Sequence, residues 1–484
     1  MTCPPEQAGV VAFLSGLAGA PPLETHISCV FRGLDTVWKL KKAVRLGFLD
    51  FSALADRHRF LLRELALNAD AAPGLYRDVV PVTRAGDQFA LGGTGKVVDW
   101  VLRMARVPQG DFLDEKVAAG GVDAALLDGM ADAVVALHAA QPPTPTGVSE
   151  VARLRRVLDG NAASAVAAGL NEAAVAAWQA DATALLGRLA PAIEARAHLV
   201  RRCHGDLHLG NMLVWRGTVA PFDALEFDEG LATIDPGYDL AFLLMDLDVT
   251  VSRAAANAVM NRYVARTGDA GLLAPLPLFL SLRALVRAHV AAARRRDGTG
   301  LLQAAQAYLE PSRPVVVAVG GLQGTGKSTL ARAVAPGIGA APGALVLRSD
   351  EVRKRLAGVE PHDRLPNEAY TPEAHSRTEA AMIAAMRTAV AGGHSVVLDA
   401  TFLDPATRAA FQAAACAPVL GVWLQADLAV LEARVAARQG DASDATVDVL
   451  RAAAARMLPP ADWLMLDAAA GGHEQQVQAA LAML

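Results

Sequence analysis

Residues 203–223 combine an acid, an amide and a second acid at a spacing that could support phosphoryl transfer. The stretch Cys203–Asn211 reads C-H-G-D-L-H-L-G-N, and Asp223 ends the stretch V-A-P-F-D twelve residues after Asn211. Phosphoryl transfer uses one carboxylate to orient and deprotonate the attacking hydroxyl, and an Asn and a second Asp to hold the metal ions. The catalytic loop of kinases has the pattern H-R-D-x-x-x-x-N, and Gly205 stands where that pattern has Arg. The spacing therefore predicts a kinase-type active site in the middle of the chain.

A second phosphate-binding pattern begins at residue 315. The run V-V-V-A-V is suited to a buried parallel strand, and it leads directly into the pattern G-x-x-x-x-G-K-S. Glycines in this pattern let backbone N–H groups surround phosphates, while the Lys reaches the β- and γ-phosphates and the Ser binds magnesium. The next helix points its positive end at the anion. The predicted nucleotide-binding residues are Gly321, Gly324, Thr325, Gly326, Lys327, Ser328 and Thr329, with Ser328 also a metal ligand.

The composition limits the classes of protein and partner. A chain of 484 residues is expected to form two or three domains, and 53% hydrophobic residues can fill large cores. A net charge of −5 with 5% aromatic residues gives no reason to expect nucleic acid or an anionic membrane as a partner. The four cysteines lie far apart without a C-x-x-C pair, which argues against structural zinc or disulfides. Without a signal peptide or a bilayer-spanning apolar run, we expect a soluble, cytoplasmic protein of open oligomeric state.

The N-terminal residues supply the elements that would hold a kinase lysine. Two strand-like runs within 24–42 flank the turn R-G-L-D, which predicts a hairpin with Lys39 in its second strand. A kinase needs such a Lys at the nucleotide phosphates, positioned by a helix Glu, and the helical pattern of 51–69 offers Glu64. Lys41 shares the face of Lys39 and is the alternative, while a solvated basic strand edge is a third interpretation. No G-x-G-x-x-G loop is present, so another segment must cover the phosphates.

The region around the catalytic stretch predicts helices and further acids. Residues 111–140 and 147–196 show apolar residues at helical spacing, which predicts a bundle that carries substrate determinants. An isolated H-x-D-x-x-x-x-N could be a helix cap or a loop with Asx turns, but the later Asp223 and D-P-G-Y-D-L-A disfavour that interpretation. Glu226 and Asp228 could face a cationic or polyhydroxylated substrate, or they could be solvated loop carboxylates.

The stretch 204–241 resembles the aminoglycoside phosphotransferase and choline kinase-like family, small-molecule relatives of the protein kinases. That family typically shows H-G-D-x-x-x-x-N, an Asp in the DFG position and D-P-x-x-D-L-A, and all three occur here at compatible spacing. The resemblance implies an α+β two-lobed protein-kinase-like domain. It also implies that Asp206 is the catalytic base, that Asn211 and Asp223 are metal ligands, and that Asp239 braces the loop. The chain departs from the family in lacking a Gly-rich loop and in having D-A-L in place of D-F-G.

The C-terminal part predicts an α/β P-loop NTPase domain with a parallel sheet. Asp350 follows a predicted strand, at the end where open α/β sheets bind ligands. The pattern Asp350-x-x-Arg353 resembles the acid and Arg of P-loop small-molecule and polynucleotide kinases, in which the Asp activates the acceptor hydroxyl. Asp399 ends another predicted strand and is a Walker-B-like candidate for a metal ligand. Arg434 and Arg438 lie one turn apart and resemble lid arginines that close over ATP, although a solvated helix face has the same spacing.

These features predict how the chain is divided and what it does. The predicted divisions are an N-lobe over 1–105, a helical C-lobe with the catalytic loop over 106–300, a linker over 301–313 and a P-loop kinase domain over 314–484. Each half is predicted to use ATP and Mg²⁺ to phosphorylate a hydroxyl of a small metabolite, of the sugar or aminocyclitol class. The whole resembles bacterial proteins that join an aminoglycoside phosphotransferase-like domain to an AAA-type ATP-binding domain. One alternative is a single kinase regulated by the P-loop domain, and another is a P-loop half that acts on polynucleotide ends, which the acidic net charge disfavours.

Overall fold

The computed structural model describes residues 3–46, 49–437 and 442–484. The chain forms two compact units, Met1–Thr146 with His198–Leu240 and Gly147–Ala197 with Ala241–Leu484. The helices are α1 (Ala8–Ala18), α2 (Leu54–Asn68), α3 (Leu113–Ala118), α4 (Ala124–Ala139), α5 (Glu150–Ala167), α6 (Glu172–Ala195), α7 (Glu229–Ala232), α8 (Pro236–Thr250), α9 (Arg253–Thr267), α10 (Leu276–Ala293), α11 (Thr299–Ala307), α12 (Lys327–Val334), α13 (Ser349–Leu356), α14 (Pro372–Ala391), α15 (Pro405–Ala414), α16 (Leu428–Ala436), α17 (Val447–Ala454) and α18 (His473–Leu481). The strands are β1 (Leu23–Glu24), β2 (Ser28–Arg32), β3 (Thr36–Lys41), β4 (Arg45–Leu46), β5 (Leu49–Asp50), β6 (Tyr76–Ala85), β7 (Gln88–Leu91), β8 (Lys96–Ala105), β9 (Arg201–Arg202), β10 (Met212–Trp215), β11 (Thr218–Pro221), β12 (Thr233–Ile234), β13 (Val316–Gly321), β14 (Leu345–Arg348), β15 (Val396–Asp399), β16 (Val419–Gln425) and β17 (Leu464–Asp467).

A six-stranded antiparallel sheet, in the order β1-β2-β3-β8-β6-β7, is the scaffold of the first unit. The predicted hairpin is present as β2 and β3, and Lys39 lies opposite Val30 in it. Because side chains alternate along a strand, Leu40 enters the apolar cluster beneath α1 while the lysines on either side point to the other face. Helix α2 packs on β6 and β8 through Leu61 and presents Glu64 to those lysines.

The catalytic stretch connects two small antiparallel ladders. Strand β9 pairs with β12, and β10 pairs with β11, so residues 203–211 run from one ladder to the other. The tight turn between β10 and β11 uses Arg216 and Gly217, both with positive φ, at 52° and 85°. Asp223 lies two residues after the end of β11, and Asp239 lies in the first turn of α8. The strand ends therefore determine where the acids of the predicted site lie.

Helices α5, α6, α10 and α11 pack together in the second unit. The Ser281 hydroxyl on α10 accepts a hydrogen bond from Trp178 Nε1 at 2.8 Å and donates one to the Ala305 carbonyl oxygen of α11 at 2.6 Å. Leu302 and Ala305 are buried in the same packing. Helix α11 thus occupies part of the segment 301–313 for which the sequence predicts a linker.

Helix α10 is long and apolar enough to cross a membrane by length and composition alone. The sequence predicts no such segment, because its longest apolar runs, such as Leu240–Met245 and Val315–Val319, are too short to span a bilayer. Of the helix, 56% is buried inside the fold, where it contacts α5, α6 and α11. A helix that is apolar on most sides and packed between other helices is typical of a protein core.

A five-stranded parallel sheet, in the order β14-β15-β13-β16-β17, organises the P-loop part of the second unit. The central strand β13 buries Val316, Val317 and Val319, and burial of one such side chain contributes about 1.5–3 kcal/mol. Helix α12 follows β13 and α13 follows β14, so the Gly-rich loop and Asp350 lie at the same carboxyl edge of the sheet. This is the predicted α/β P-loop fold.

Strand β14 lies at the edge of this sheet, and α9 covers its open side. Asn261 Oδ1 accepts a hydrogen bond from the Val346 N–H at 2.7 Å, and Asn261 Nδ2 donates one to the Ala344 carbonyl oxygen at 3.2 Å. Asn257 Nδ2 donates to the same oxygen at 3.0 Å. Backbone groups on a sheet edge need partners or solvent, and here two side-chain amides take the place of a neighbouring strand.

Two candidate phosphoryl-transfer sites

The loop 203–211 presents Asp206 and Asn211 side by side. Asn211 Nδ2 donates hydrogen bonds to the Asp206 backbone oxygen at 2.9 Å and to Asp206 Oδ2 at 3.0 Å. A short 3₁₀ turn over Leu209–Asn211, capped by His208, fixes this arrangement. The Asp206 side chain is 43% exposed, so a substrate hydroxyl can reach it. The carboxylate is held at a constant place but remains open to an acceptor.

Asp239 lies beneath this loop and accepts hydrogen bonds from its backbone. Its Oδ1 accepts from the Gly205 N–H at 2.8 Å, and its Oδ2 accepts from the His204 N–H at 3.0 Å. Gly205 has a φ of 87°, and a Cβ there would lie 3.0 Å from the Cβ atoms of Ala232 and Leu225. Glycine is therefore required where kinases have Arg, because a side chain would be strained and crowded.

His204 links the same loop to the strand that precedes Asp223. Its Nε2 lies 2.9 Å from the Phe222 carbonyl oxygen, and its Nδ1 accepts from the Asp206 N–H at 3.3 Å. Burial lowers the pKa of His204, and a neutral ring protonated at Nε2 satisfies both contacts. The ring orients the backbone on both sides of the site.

His138, Cys203 and Asp239 form a buried cluster whose ligand atoms lie within 4.8 Å of one another. His138 Nε2 is 3.2 Å from Asp239 Oδ2, and the Cys203 thiol donates to the Ile234 carbonyl oxygen at 3.5 Å. Burial raises the pKa of Cys203 well above its usual range, which keeps the thiol protonated. Asp239 accepts from the loop backbone, and His138 and the Cys203 thiol have hydrogen-bond partners within the protein, so these residues fit a brace for the loop.

Lys39 contacts Glu64, the helix Glu predicted to position it, and also Asp223. Its Nζ is 2.7 Å from Glu64 Oε1 and 2.5 Å from Asp223 Oδ1. Burial by itself would lower the pKa of Lys39, but Asp223 and Glu64 outweigh it and raise that pKa well above the usual value. Burial likewise would raise the pKa of Glu64, but Lys39 and Lys41 lower it to about 2. Lys39 and Glu64 therefore stay charged, and the contacts of Lys39 bring β3, α2 and the segment after β11 together.

Lys41 is fully buried and points into the protein. Its Nζ is 2.8 Å from Glu64 Oε2 and 2.5 Å from Glu226 Oε1. Lys42 is also buried, with its Nζ 2.8 Å from Glu24 Oε2. The interpretation of these lysines as a solvated strand edge is wrong, and so are both interpretations of Glu226, because its carboxylate faces neither solvent nor a substrate.

The second site lies at the carboxyl edge of the parallel sheet. Gly321, Gly324 and Gly326 have φ values of 135°, 86° and 89°, and a Cβ on Gly321 would lie 2.3 Å from the Leu424 carbonyl oxygen. Helix α12 begins at Lys327, whose Nζ donates to the Leu322 carbonyl oxygen at 2.8 Å. The glycines thus permit the loop to curve around the start of the helix, as phosphate binding requires.

A cavity of about 810 Å³ connects this loop with the candidate acceptor residues. It brings together nine of the residues predicted from the sequence: Gly324, Gly326, Lys327, Ser328, Thr329, Asp350, Arg353, Asp399 and Arg434. Gly321 and Thr325 lie buried within the loop, and Arg438 falls outside the described residues. Burial, opposed by nearby arginines, raises the pKa of Asp350. A carboxylate of raised pKa beside a phosphate-binding loop is suited to accept a hydroxyl proton.

Two protein-family models match the chain, one over the part that contains Asp206 and one over the part that contains the P-loop. The model of the phosphotransferase enzyme family (APH) matches residues 63–278, and the model of an AAA domain (AAA_33) matches residues 316–460. Residues 63–278 therefore resemble a phosphotransferase-family domain, and residues 316–460 resemble an AAA domain. The protein is an ATP-dependent kinase.

Relatives of the kinase match either the whole chain or one part of it. The uncharacterized protein Rv2004c of Mycobacterium tuberculosis (strain ATCC 25618 / H37Rv) is 29% identical over 473 residues, which cover 91% of this chain and 90% of the relative. A gluconokinase structure from Sinorhizobium meliloti 1021 is 21% identical with a TM-score of 0.26, and the match covers 35% of this chain and 93% of that one. A choline/ethanolamine kinase family structure from Mesorhizobium loti is 15% identical with a TM-score of 0.39, over 62% of this chain and 93% of that one.

The oxygen atoms of the predicted metal ligands fit Mg²⁺ at both sites of the kinase. In the first, Asn211 donates with its amide nitrogen, so its oxygen is the atom that can bind a cation beside the Asp223 carboxylate. In the second, Ser328 and Asp399 line one cavity, and Asp399 ends β15 next to the P-loop strand. Hard oxygen ligands of this kind are those that Mg²⁺ prefers.

The sequence analysis missed residues that shape the acceptor side of the P-loop cavity. Asp444 Oδ2 accepts from the Tyr370 hydroxyl at 2.7 Å and from the Leu365 N–H at 3.0 Å. Arg353 Nη2 lies 3.1 Å from His375 Nδ1, so His375 lines the site instead of serving only as a surface or packing residue. No spacing in the sequence signals these contacts, because the partners come from separate segments that only the fold brings together.

Proposed function

We propose that each half of the chain transfers the γ-phosphate of ATP to a hydroxyl of a small metabolite, with sugars and aminocyclitol-like compounds as the acceptor class. One observation carries the proposal: each part has a lysine at its candidate phosphate site and a carboxylate that an acceptor can reach. In the first part these are Lys39 and Asp206, and in the second Lys327 and Asp350 line a single cavity. A domain that only senses ATP has no need for an acceptor carboxylate.

In the first half, Asp206 orients the acceptor hydroxyl and takes its proton. Lys39, kept charged by Glu64, binds the nucleotide phosphates. Asn211 and Asp223 would hold Mg²⁺, which neutralises charge on the phosphates when bound. Asp239 keeps the loop backbone fixed, so the base does not move away from the acceptor.

In the second half, Asp350 is the proposed base and Arg353 the residue that binds the acceptor or the transferred group. The loop N–H groups and Lys327 bind the phosphates, while Ser328 and Asp399 would hold Mg²⁺. Arg434, whose Nη1 is 3.3 Å from the Gly324 carbonyl oxygen, is placed to close over the nucleotide. Arg438 is proposed to act with it.

The polar lining of the P-loop cavity supports a polyhydroxylated acceptor. Its acceptor side offers cationic donors, a phenol hydroxyl and carboxylate acceptors from Arg364, Tyr370, Glu379 and Asp444. A compound with several hydroxyl groups can donate to the carboxylates and accept from the arginines at once. An apolar acceptor would offer these groups no hydrogen bonds.

A screen of ATP consumption tests the proposal. Full-length protein would be assayed with sugars, aminoglycosides, choline-like amines and nucleosides, as wild type, Asp206→Asn and Lys327→Met. Asp87→Asn and Lys96→Met, on exposed turn and strand positions, are the matched controls. We expect each active-site variant to abolish turnover of its own acceptors by at least 100-fold and to leave the others intact. If Lys327→Met leaves all acceptor-dependent turnover unchanged, the second half is not a phosphotransferase; if Asp206→Asn does, the first half is not.

A further inference from the structure

Two ion pairs attach the segment that follows β11 to strand β3, and the carboxylate of Glu64 contacts both of the lysines involved. Lys39 joins Glu64 to Asp223, and Lys41 joins the same Glu64 to Glu226, three residues further along the chain. Three carboxylates and two ammonium groups thus meet in one cluster. Both lysines therefore depend on Glu64 for their position.

The two attachments differ in their access to the site. Lys39 and Asp223 have side-chain exposures of 12% and 40%, whereas Lys41 and Glu226 have 0% and 5%. A nucleotide can reach the first pair but not the second. The Lys39–Asp223 contact can thus be exchanged for ligands, while the Lys41–Glu226 contact stays in place.

The backbone between the two acids is also held in an unusual conformation. Asp223 has a φ of 61°, in the left-handed region that a non-glycine residue rarely adopts. Its N–H donates to the Tyr76 hydroxyl at 2.9 Å, and the next N–H, of Ala224, donates to Asn68 Oδ1 at 3.0 Å. A conformation of this kind persists only where the surroundings enforce it.

We infer that Glu226 is a positioning residue that keeps Asp223 at the metal site when Lys39 moves from Asp223 to the nucleotide phosphates. Lys39 cannot remain 2.5 Å from Asp223 and also bind the phosphates, so the segment that carries Asp223 loses one of its two ion pairs with β3 during that exchange. The buried Lys41–Glu226 ion pair is the one that remains. This inference rests on the proposed function of the first half and adds Glu226, which lies outside the H-G-D-x-x-x-x-N and D-P-x-x-D-L-A patterns.

Loss of Glu226 has a second consequence that strengthens the effect. Lys41 would then have Glu64 as its remaining carboxylate partner among the contacts described here. Removing one partner of a buried ion pair leaves the other charge without full compensation. Glu64 would shift from Lys39 toward Lys41, and both ends of the phosphate site would be displaced.

Manganese binding measures the position of Asp223 without catalysis. Full-length protein with a non-hydrolysable ATP analogue would be titrated with Mn²⁺ and free Mn²⁺ measured by electron paramagnetic resonance. Asp223→Asn identifies the component that belongs to the first site, since the P-loop site contributes separately. We expect Glu226→Gln to weaken that same component at least tenfold, and Glu226→Asp to weaken it less. Glu229→Gln, on an exposed ion pair three residues later, is the matched control and should leave it unchanged.

The possible outcomes separate this inference from the proposed function. If Asp223→Asn weakens Mn²⁺ binding and Glu226→Gln leaves it within twofold of wild type, the positioning role is refuted while the site assignment stands. If Asp223→Asn itself has no effect, the metal assignment of the first half fails and the positioning role with it. Thermal denaturation checks that Glu226→Gln is folded. If it is not, Lys41→Met/Glu226→Gln, which removes both charges together, is titrated instead and should show the same tenfold loss.

Discussion

Replacing Asp239 should loosen the catalytic loop by an amount that follows from its hydrogen bonds. Asp239 is fully buried and accepts from the backbone N–H groups of His204 and Gly205. In Asp239→Ala both donors lose their acceptor, and a buried unpaired N–H costs about 1–3 kcal/mol. In Asp239→Asn one carboxylate oxygen becomes an NH₂ group, so one of the two donors is lost. We therefore expect about 4 kcal/mol of local destabilisation for the Ala variant and about 2 kcal/mol for the Asn variant.

Hydrogen–deuterium exchange of the full-length protein measures this loss directly. A cost of about 2 kcal/mol per amide corresponds to roughly 30-fold faster exchange of the affected N–H groups. Peptides that cover residues 200–212 report on the loop, and peptides from β13 show whether the P-loop part remains folded. Turnover at the Asp206 site should fall with the exchange protection, because the base moves with the loop.

The choice of control decides what would refute this reasoning. Asp87→Ala changes an acid on an exposed turn and should alter neither exchange in 200–212 nor turnover. If Asp239→Ala also leaves exchange of the His204 and Gly205 amides unchanged, these hydrogen bonds do not hold the loop. If exchange rises but turnover at the Asp206 site does not fall, the loop is braced by Asp239 without the brace mattering for catalysis.

Three further predictions follow from buried polar contacts. The pKa of Glu64 is about 2 instead of 4.5, so its negative charge stabilises the fold fully above about pH 4.5, and about 3 kcal/mol of this stabilisation is lost as the pH falls toward 2. The urea midpoint of the wild type should therefore fall over that pH range more steeply than the midpoint of Glu64→Gln. Parallel curves for the two proteins would contradict the lowered pKa. Because burial raises the pKa of Asp350, the acid limb of kcat/KM for the P-loop half should lie above the pH expected for an ordinary Asp, and an acid limb at or below that pH would refute Asp350 as the base. Asn261→Leu should leave the Val346 N–H without its acceptor and speed the deuterium exchange of that amide about tenfold or more. Asn261→Asp keeps an acceptor oxygen and should protect the amide better. Equal exchange in the two variants would show that α9 does not supply the hydrogen-bond acceptor for this sheet edge.

Local patterns were enough to predict the elements of both sites. The hairpin that carries Lys39 could be predicted from alternating side chains on two strands and a turn between them. The P-loop could be predicted from its glycines, which are the residues that a left-handed backbone favours. The parallel sheet follows from β-branched runs followed by helices. In each case the signal lies within about ten residues of the structure it predicts, so no long-range contact has to be known.

The roles of neighbouring charged residues could not be predicted in the same way. Lys39 and Lys41 share a face of β3, and alternation alone does not say which of them meets solvent. That depends on α2 and on the segment after β11, which lies 185 residues from Lys41 at Glu226. The sequence analysis for this reason left Glu226 between a substrate-facing and a solvated position, and neither is correct.

The sequence by itself predicted two candidate phosphate-binding sites in this protein, because the G-x-x-x-x-G-K-S loop and the H-G-D-x-x-x-x-N loop each lie within a short stretch of the chain. Only the tertiary structure decided which side chains support those sites. The carboxylate beneath the catalytic loop, the partner of Lys41 and the contact between Asp444 and Tyr370 all join distant segments. The physical reason is that an ion pair or a buried hydrogen bond depends on distance and desolvation, and the fold of the whole chain determines both.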